Sequence, residues 1–497
     1  IGMHDMLALG RLDPNDNSEP FNMAYLALRG SGAVNAVSRL HGQVSRRLFS
    51  VLFPRWPESE VPIGYVTNGV HVPTWESQPA SDVWKRACGD ERWLGTMECV
   101  GPNLRGVSDA DLWELRTKAR RQLIERTRRR LARQRSGQGA GTQEVAAAER
   151  IFDFDTLTLA FARRFAAYKR PNLLLADPER LARILTDKQR PVQLLLAGKA
   201  HPADLEGQGM LKQWSDFLHR PDVRPHVVFL ADYDMLLTER LVHGADVWIN
   251  TPRRPWEASG TSGMKVLVNG GVNLSELDGW WAEAYQPDIG WAIGDGQEHH
   301  DDPAWDHVEA EELYSRLESE VIPEFYNRNE AGIPTAWIAR MRESMARLTP
   351  QFSANRTVRQ YVEEHYLPAA TAYRERSATC ADFASGLLGW QRALATHWPH
   401  VHFGGATSAT ADGAHTFEVQ VYLDELDPEA VHVELYADPD VRQVMTRGQQ
   451  LVGSANGYMY TGRVPADRPA SDYTPRLVPY RAGVRVPLEA PQILWQR

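Results

Sequence analysis

Cysteine is nearly absent. Cys88, Cys99 and Cys380 are the only three in the chain, far apart and with no CxxC pair. So sparse and odd a set argues against a disulfide framework or a cysteine zinc site, and it fits a reducing, cytoplasmic setting. Long apolar runs are missing too: none approaches membrane-spanning length, and no signal peptide opens the chain. There is no excess of positive charge; a net charge of -9 does not suit a general nucleic-acid binder. Internal repeats are not found. An initiating methionine is also missing, and a start at Ile1 leads us to expect a chain that begins within a domain.

What is present is ordinary in bulk. The chain has 497 residues, 43% hydrophobic and 24% charged, which suits a soluble globular protein of several domains. Apolar residues recur at helical spacing over 21–52, with Gly30 and Gly32 between two expected helices. "YVTNGVHVPTW" (65–75) reads as a short strand followed by a turn at Asn68-Gly69. Residues 110–135 read as a long basic helix. We take its charges as a solvated face rather than a polyanion site, with Leu115, Leu123, Ile124 and Leu131 as the buried stripe. "SGQGAGTQ" (136–143) then reads as a linker.

Beyond 156 the pattern changes. "TLTLAFA" (156–162), "VQLLLAG" (192–198), "HVVFLAD" (226–232), "ADVWINT" (245–251) and "GVNLSEL" (271–277) are short apolar runs separated by helical stretches. Strands buried on both faces and alternating with helices predict a parallel, doubly wound sheet. Residues 346–395 look helical again. The tail alternates apolar and polar residues at 417–423, 431–437, 457–465 and 480–487, which predicts a small antiparallel β domain resembling a sandwich.

Ligands of a doubly wound sheet bind at the carboxyl ends of its strands. Three segments lie there. "ARRFAAYKRP" (162–171) carries Arg163, Arg164, Lys169 and Arg170, which make either a phosphate site or a basic rim. "GKAHP" (198–202) places Lys199 after the second strand. "WEASGTSGMKVLVNGG" (256–271) places Lys265 among apolar residues in the first turn of a helix expected near Met264. It is not a P-loop, because Met264 separates Gly263 from Lys265 and Val266 stands where the hydroxyl belongs. Burial of such a lysine favours the neutral amine, which can form a Schiff base; the competing reading is a lysine that snorkels to solvent. Glu257, eight residues earlier, is either an acceptor for sugar hydroxyls or a capping carboxylate. His299 and His300 beside Asp301 and Asp302 read as a polar loop, and no metal site is expected.

Taken together, these residues resemble one family, the α-glucan (glycogen, starch, maltodextrin) phosphorylases. "EASGTSGMK" is similar to the family's cofactor-lysine segment and "ARRFAAYKR" to its phosphate-binding segment. "YVTNGVHVPTW" and "NAVSRLHG" are similar to two segments of its first domain, and all occur in the family's order. "LDGWW" and the β tail look most like the bacterial short-type enzymes. The resemblance implies an α/β fold of GT-B type, twin Rossmann-like domains with the first incomplete, plus the C-terminal β domain. The corresponding division is 1–145, 146–345, connecting helices 346–395, and 396–497. It implies that Lys265 carries pyridoxal 5'-phosphate, with Arg163, Thr261, Ser262, Tyr233 and Trp75 also at the cofactor. Arg164 and Lys169 would bind the substrate phosphate. Asn68, Tyr168, Glu257, Ser259 and Gly260 would surround the transferred glucosyl unit. The implied reaction is phosphorolysis of terminal α-1,4 bonds to glucose 1-phosphate with retention, the partners being α-1,4-glucan and inorganic phosphate.

The sequence departs from the family in lacking an earlier glycine-rich loop and a histidine-containing segment, so the chain alone is expected to be inactive or impaired. Two other readings compete. A nucleotide-sugar-dependent glucan synthase typically has a second glutamate eight residues after the first, where this chain has Lys265. A non-catalytic glucan-binding protein has no need of Lys265, Arg164 and Lys169.

Overall fold

The computed structural model describes residues 2–378, 381–439 and 441–496, so Cys380 lies outside the described residues. The chain divides into two compact units. One comprises Ala36–Gly42 and Tyr65–Tyr361; the other comprises Ile1–Asn35, Gln43–Gly64 and Val362–Arg497.

The first unit is built on six parallel strands: β1 (Leu157–Ala162), β2 (Val192–Ala197), β3 (Val227–Leu230), β4 (Val247–Asn250), β5 (Val272–Glu276) and β6 (Trp291–Ile293). Every residue of β1, β2, β4 and β5 is buried, as their largely apolar composition demands when helices cover both faces. Their order across the sheet is β3-β2-β1-β4-β5-β6. Leu157 pairs with Val192 on one side of β1, and Leu159 with Val247 on the other. The chain reverses its direction of winding between β1 and β4. This is the switch point at which the loops leaving adjacent strands diverge and a crevice opens. The sequence pattern predicts all of these strands except β6, which is only three residues long.

Helix α1 (Val72–Trp75) precedes the sheet. Helix α2 (Asp109–Gly137) also precedes it, capped by Ser108, whose side chain accepts the Asp111 amide. Leu115, Leu123, Ile124 and Leu131 form its buried stripe, as expected. The pattern does not predict that Arg116 and Arg120 are also fully buried. Both reach Asp246, at 3.1 and 2.9 Å. Arg116 also donates to the carbonyls of Gly244, Ala245 and Asn269, and Asp246 accepts the Thr158 amide. Two of the ten basic residues of this helix are therefore staples under the sheet, at the amino ends of β1 and β4.

Two local expectations are corrected. The strand expected at 65–75 lies earlier, at Ile63–Tyr65. Val66 and Asn68 then continue extended, donating to the carbonyls of Ala36 and Val37, so no turn forms at Asn68-Gly69. The linker expected at 136–143 is shorter, because α2 runs through Gly137 and the next helix starts at Thr142.

The second unit is a sandwich of two four-stranded antiparallel sheets. One contains β7 (His402–Ala411), β8 (Ala414–Tyr422), β11 (Thr446–Gln450) and β12 (Gly457–Pro465). The other contains β9 (Val431–Ala437), β10 (Val441–Val444), β13 (Thr474–Pro479) and β14 (Leu494–Trp495). Phe417, Val419 and Val421 of β8 meet Val433 and Leu435 of β9 in one core, which Trp390 and Leu394 of the helix Ala381–His397 complete. The strand expected at 480–487 is instead β13, just before it. Residues 480–487 turn, with Gly483 at φ +77°. Within this unit Arg476 is buried, bonded to Glu60 (2.6 and 2.9 Å) and Glu434 (2.7 Å). Its guanidinium faces the rings of Tyr436, Trp495 and Trp56 at 4.6, 5.5 and 5.6 Å.

Candidate active site at the switch point

The crevice between β1 and β4 is bordered by the two segments that leave them. Arg163 is the first residue after β1. Lys169 follows in a short turn of 3-10 helix (Ala167–Lys169) that brings the chain back over the sheet. From β4 the chain runs through Trp256–Gly260 into helix α3 (Ser262–Leu267). That helix begins two residues earlier than expected, so Lys265 stands in its second half.

The two segments meet at Glu257. Its Oε2 accepts Arg163 Nη2 at 2.6 Å and also contacts Lys169 Nζ. All three side chains are largely buried. Burial pushes the Glu257 carboxyl upward, but Arg163 and Lys169 outweigh it and hold the group below the usual carboxylate range. Burial, reinforced by Arg163, brings Lys169 down to about 8 against the pull of Glu257. Tyr168 stands beside this cluster, with Lys169 Nζ 4.6 Å from its ring centre and Trp256 tilted against it at 6.4 Å. Burial, then the Glu257 charge, raises its hydroxyl. Arg164 is exposed, and its charge counteracts that rise.

Lys265 forms a second focus. Its Nζ lies 3.8 Å from the centre of the Trp75 ring. Burial alone lowers its basicity; no charged group among the described residues opposes or assists. Thr261 and Ser262 open the helix beneath it. Thr261 accepts the Lys265 amide through its carbonyl, and the Ser262 hydroxyl accepts Trp248 Nε1 at 3.1 Å. Tyr233 donates to the carbonyl of Ala162, the residue preceding Arg163. Gly260 has φ +85°, a conformation that suits glycine. Ser259 is buried, and its hydroxyl has no partner among the described residues, nor has Nη1 of Arg163.

The remaining predicted residues separate. Asn68 is held through its backbone, its carbonyl accepting Arg356 Nη2 at 3.2 Å, with no hydrogen bond to the Glu257 cluster among those described. Lys199 is exposed. Arg170 leaves the cationic group altogether. It is buried against Asp306, Glu309, Glu276 and the carbonyls of Thr251 and Pro252, where it fixes the exit of β4. The pattern of four cations therefore resolves into three at the crevice and one structural. His299 bonds Asp295 at 3.1 Å and stacks on Trp305.

The sequence reading passes over three groups. Ser38 donates to the carbonyl of Ala258 at 2.7 Å, and Thr67 to Glu283 at 2.7 Å. Asp278, the second residue of "LDGWW", accepts the Glu257 amide. Only the last had a signal, since that segment enters the resemblance as a whole.

These features define an α/β protein with a doubly wound sheet whose switch point gathers cations and a desolvated amine. The chain belongs to the carbohydrate phosphorylase family, which it matches over residues 5–288. It is 41% identical to a glycogen phosphorylase of Mycobacterium tuberculosis over 397 residues, 80% of this chain and 46% of that protein. It is 41% identical to a glycogen phosphorylase of Aquifex aeolicus over 368 residues, 74% of this chain and 52% of that protein. It is 35% identical to a maltodextrin phosphorylase of Thermococcus litoralis over 493 residues, 96% of this chain and 57% of that protein. The chain spans about half the length of the curated relatives it matches.

Proposed function

We propose that this chain carries the cofactor and phosphate sites of an α-1,4-glucan phosphorylase of GT-B type, releasing glucose 1-phosphate with retention by attack of inorganic phosphate on chain ends. The observation that carries this reading is the pairing of two foci at one switch point, a desolvated Lys265 on Trp75 and an Arg163–Glu257–Lys169 cluster. The residues fit pyridoxal phosphate. Lys265 offers an amine without a carboxylate partner among the described residues, and the buried Arg163 Nη1 is a donor with no protein acceptor. Lys265, Arg163, Thr261, Ser262, Tyr233 and Trp75 would hold it. When bound, the cofactor supplies a phosphate that exchanges a proton with the substrate phosphate.

The chain's own groups do the rest. Arg164 and Lys169 hold the substrate phosphate and offset the repulsion between two phosphates. Asn68, Tyr168, Ser259 and Gly260 line the glucosyl unit with Glu257. Glu257 is held ionised between two cations, so it accepts hydrogen bonds from sugar hydroxyls and does not deliver a proton near neutrality. No pair of carboxylates as in glycosidases is required; the leaving oxygen is protonated from phosphate.

Two measurements test this. Borohydride reduction followed by peptide mapping should place a pyridoxyl label on Lys265. Maltodextrin should yield glucose 1-phosphate only when phosphate is present. Turnover of UDP-glucose or ADP-glucose without bound cofactor would overturn the reading in favour of a glucan synthase.

A further inference from the structure

Asp278 opens the turn after β5. It is 3% exposed, and no cation lies within ion-pair distance among the described residues. Its Oδ2 accepts the Glu257 amide at 2.9 Å and its Oδ1 the Gly279 amide at 2.7 Å. Two residues on, the Trp280 amide donates to the Ser259 carbonyl at 2.9 Å. Between them Gly279 has φ +54°. A Cβ there would stand 2.4 Å from the Ser259 carbonyl oxygen and 3.0 Å from that of Glu257. Three consecutive residues thus grip residues 257 and 259 by their backbones.

A fold has little reason to bury an unpaired carboxylate, because its desolvation is costly and a neutral acceptor can take one amide. Two separate oxygens on two amides, however, fix a direction that one acceptor does not. The side chain of Glu257 has its own partners in Arg163 and Lys169. Asp278, itself a carboxylate, repels that charge rather than neutralising it; what Asp278 fixes is the point from which that side chain starts.

We propose that Asp278 is a positioning residue for the glucosyl-binding loop, setting through the Glu257 amide the place from which Glu257 and Ser259 meet the sugar. The sugar as ligand rests on the proposed phosphorylase activity; the clamp itself does not. Burial raises the Asp278 carboxyl to about 7, the Glu257 charge adds to the rise, and its two amide partners and Arg254 oppose it. Glu276, at the end of β5, also interacts with it electrostatically. Protonation removes an acceptor, so the clamp weakens on the acid side of neutrality.

The test is Asp278→Asn in the holoenzyme, with hydrogen exchange followed over residues 256–260. The expected result is faster exchange confined to that segment and about tenfold lower kcat/KM for maltodextrin, with the KM for phosphate and the Lys265 pyridoxyl label unchanged. Unchanged exchange and glucan kinetics would overturn the proposal. So would a parallel loss of cofactor label and melting temperature, which marks a merely structural residue. Should the variant not fold, exchange of the wild-type segment at pH 6 and pH 8, corrected for intrinsic rates, decides: equal protection rejects the clamp, and weaker protection at pH 6 supports it. A wild type whose Lys265 takes no pyridoxyl label overturns the proposed function, while the exchange measurement still decides the clamp.

Discussion

The ammonium of Lys265 and the ring of Trp75 form one contact, 3.8 Å from nitrogen to ring centre, and no carboxylate shares it among the described residues. The ring excludes water from one side of the amine. Removing it by Trp75→Ala readmits water, so the Lys265 pKa rises towards its ordinary value and less free amine is present at neutrality. Pyridoxal phosphate should then label Lys265 several-fold more slowly at pH 7.5, as read by absorbance, while Trp75→Phe should retain most of the rate.

Lys169 stands on the substrate-phosphate side of the same crevice. Lys169→Ala should raise the KM for phosphate by an order of magnitude or more and leave the pyridoxyl label on Lys265 intact. An unchanged phosphate dependence would reject that role.

Asp246 holds two buried guanidiniums, Arg116 and Arg120. Asp246→Ala leaves both charged and without their carboxylate. Breaking a buried pair in this way costs about 3–5 kcal/mol, so denaturant unfolding should show a loss of that order. Truncating the exposed Arg129 on the same helix should change little.

Asp278 also gives a pH signature of stability. Its folded pKa of about 7 lies above the unfolded carboxylate value, so between about pH 4 and 7 the native state binds more protons than the unfolded state, and stability falls as pH rises. The contribution is fully present at low pH and is lost by about pH 7, with an amplitude on the order of 4 kcal/mol. Asn at this position does not titrate. The wild-type minus Asp278→Asn stability should therefore fall across that window and level off above it, as urea midpoints at several pH values would record.

Much of this was legible in the sequence because it was written in periodicity. Near-continuous apolar runs pointed to the parallel strands, and the cations after β1 with the glycine loop after β4 marked the crevice. The tertiary destination of charge was not legible. Lys169 and Arg170 are adjacent, yet one faces the crevice and the other turns into a carboxylate cage formed by Glu276, Asp306 and Glu309, the last of these 139 residues away. Arg116 and Arg120 looked like solvated positions because helical spacing does not encode a buried aspartate contributed by another segment. Strand β6 escaped because three residues carry no period.

The Arg476–Glu60 pair has a temporal consequence. The two residues are 416 positions apart in the chain. At a synthesis rate of about 5–20 residues per second, Glu60 waits on the order of 20–80 s for its partner. The unit formed by Tyr65–Tyr361 with Ala36–Gly42 is complete in sequence well before then. During synthesis the parallel sheet can close first, while the aromatic residues that later enclose Arg476, Trp56 among them, remain without their cation until β13 has been made.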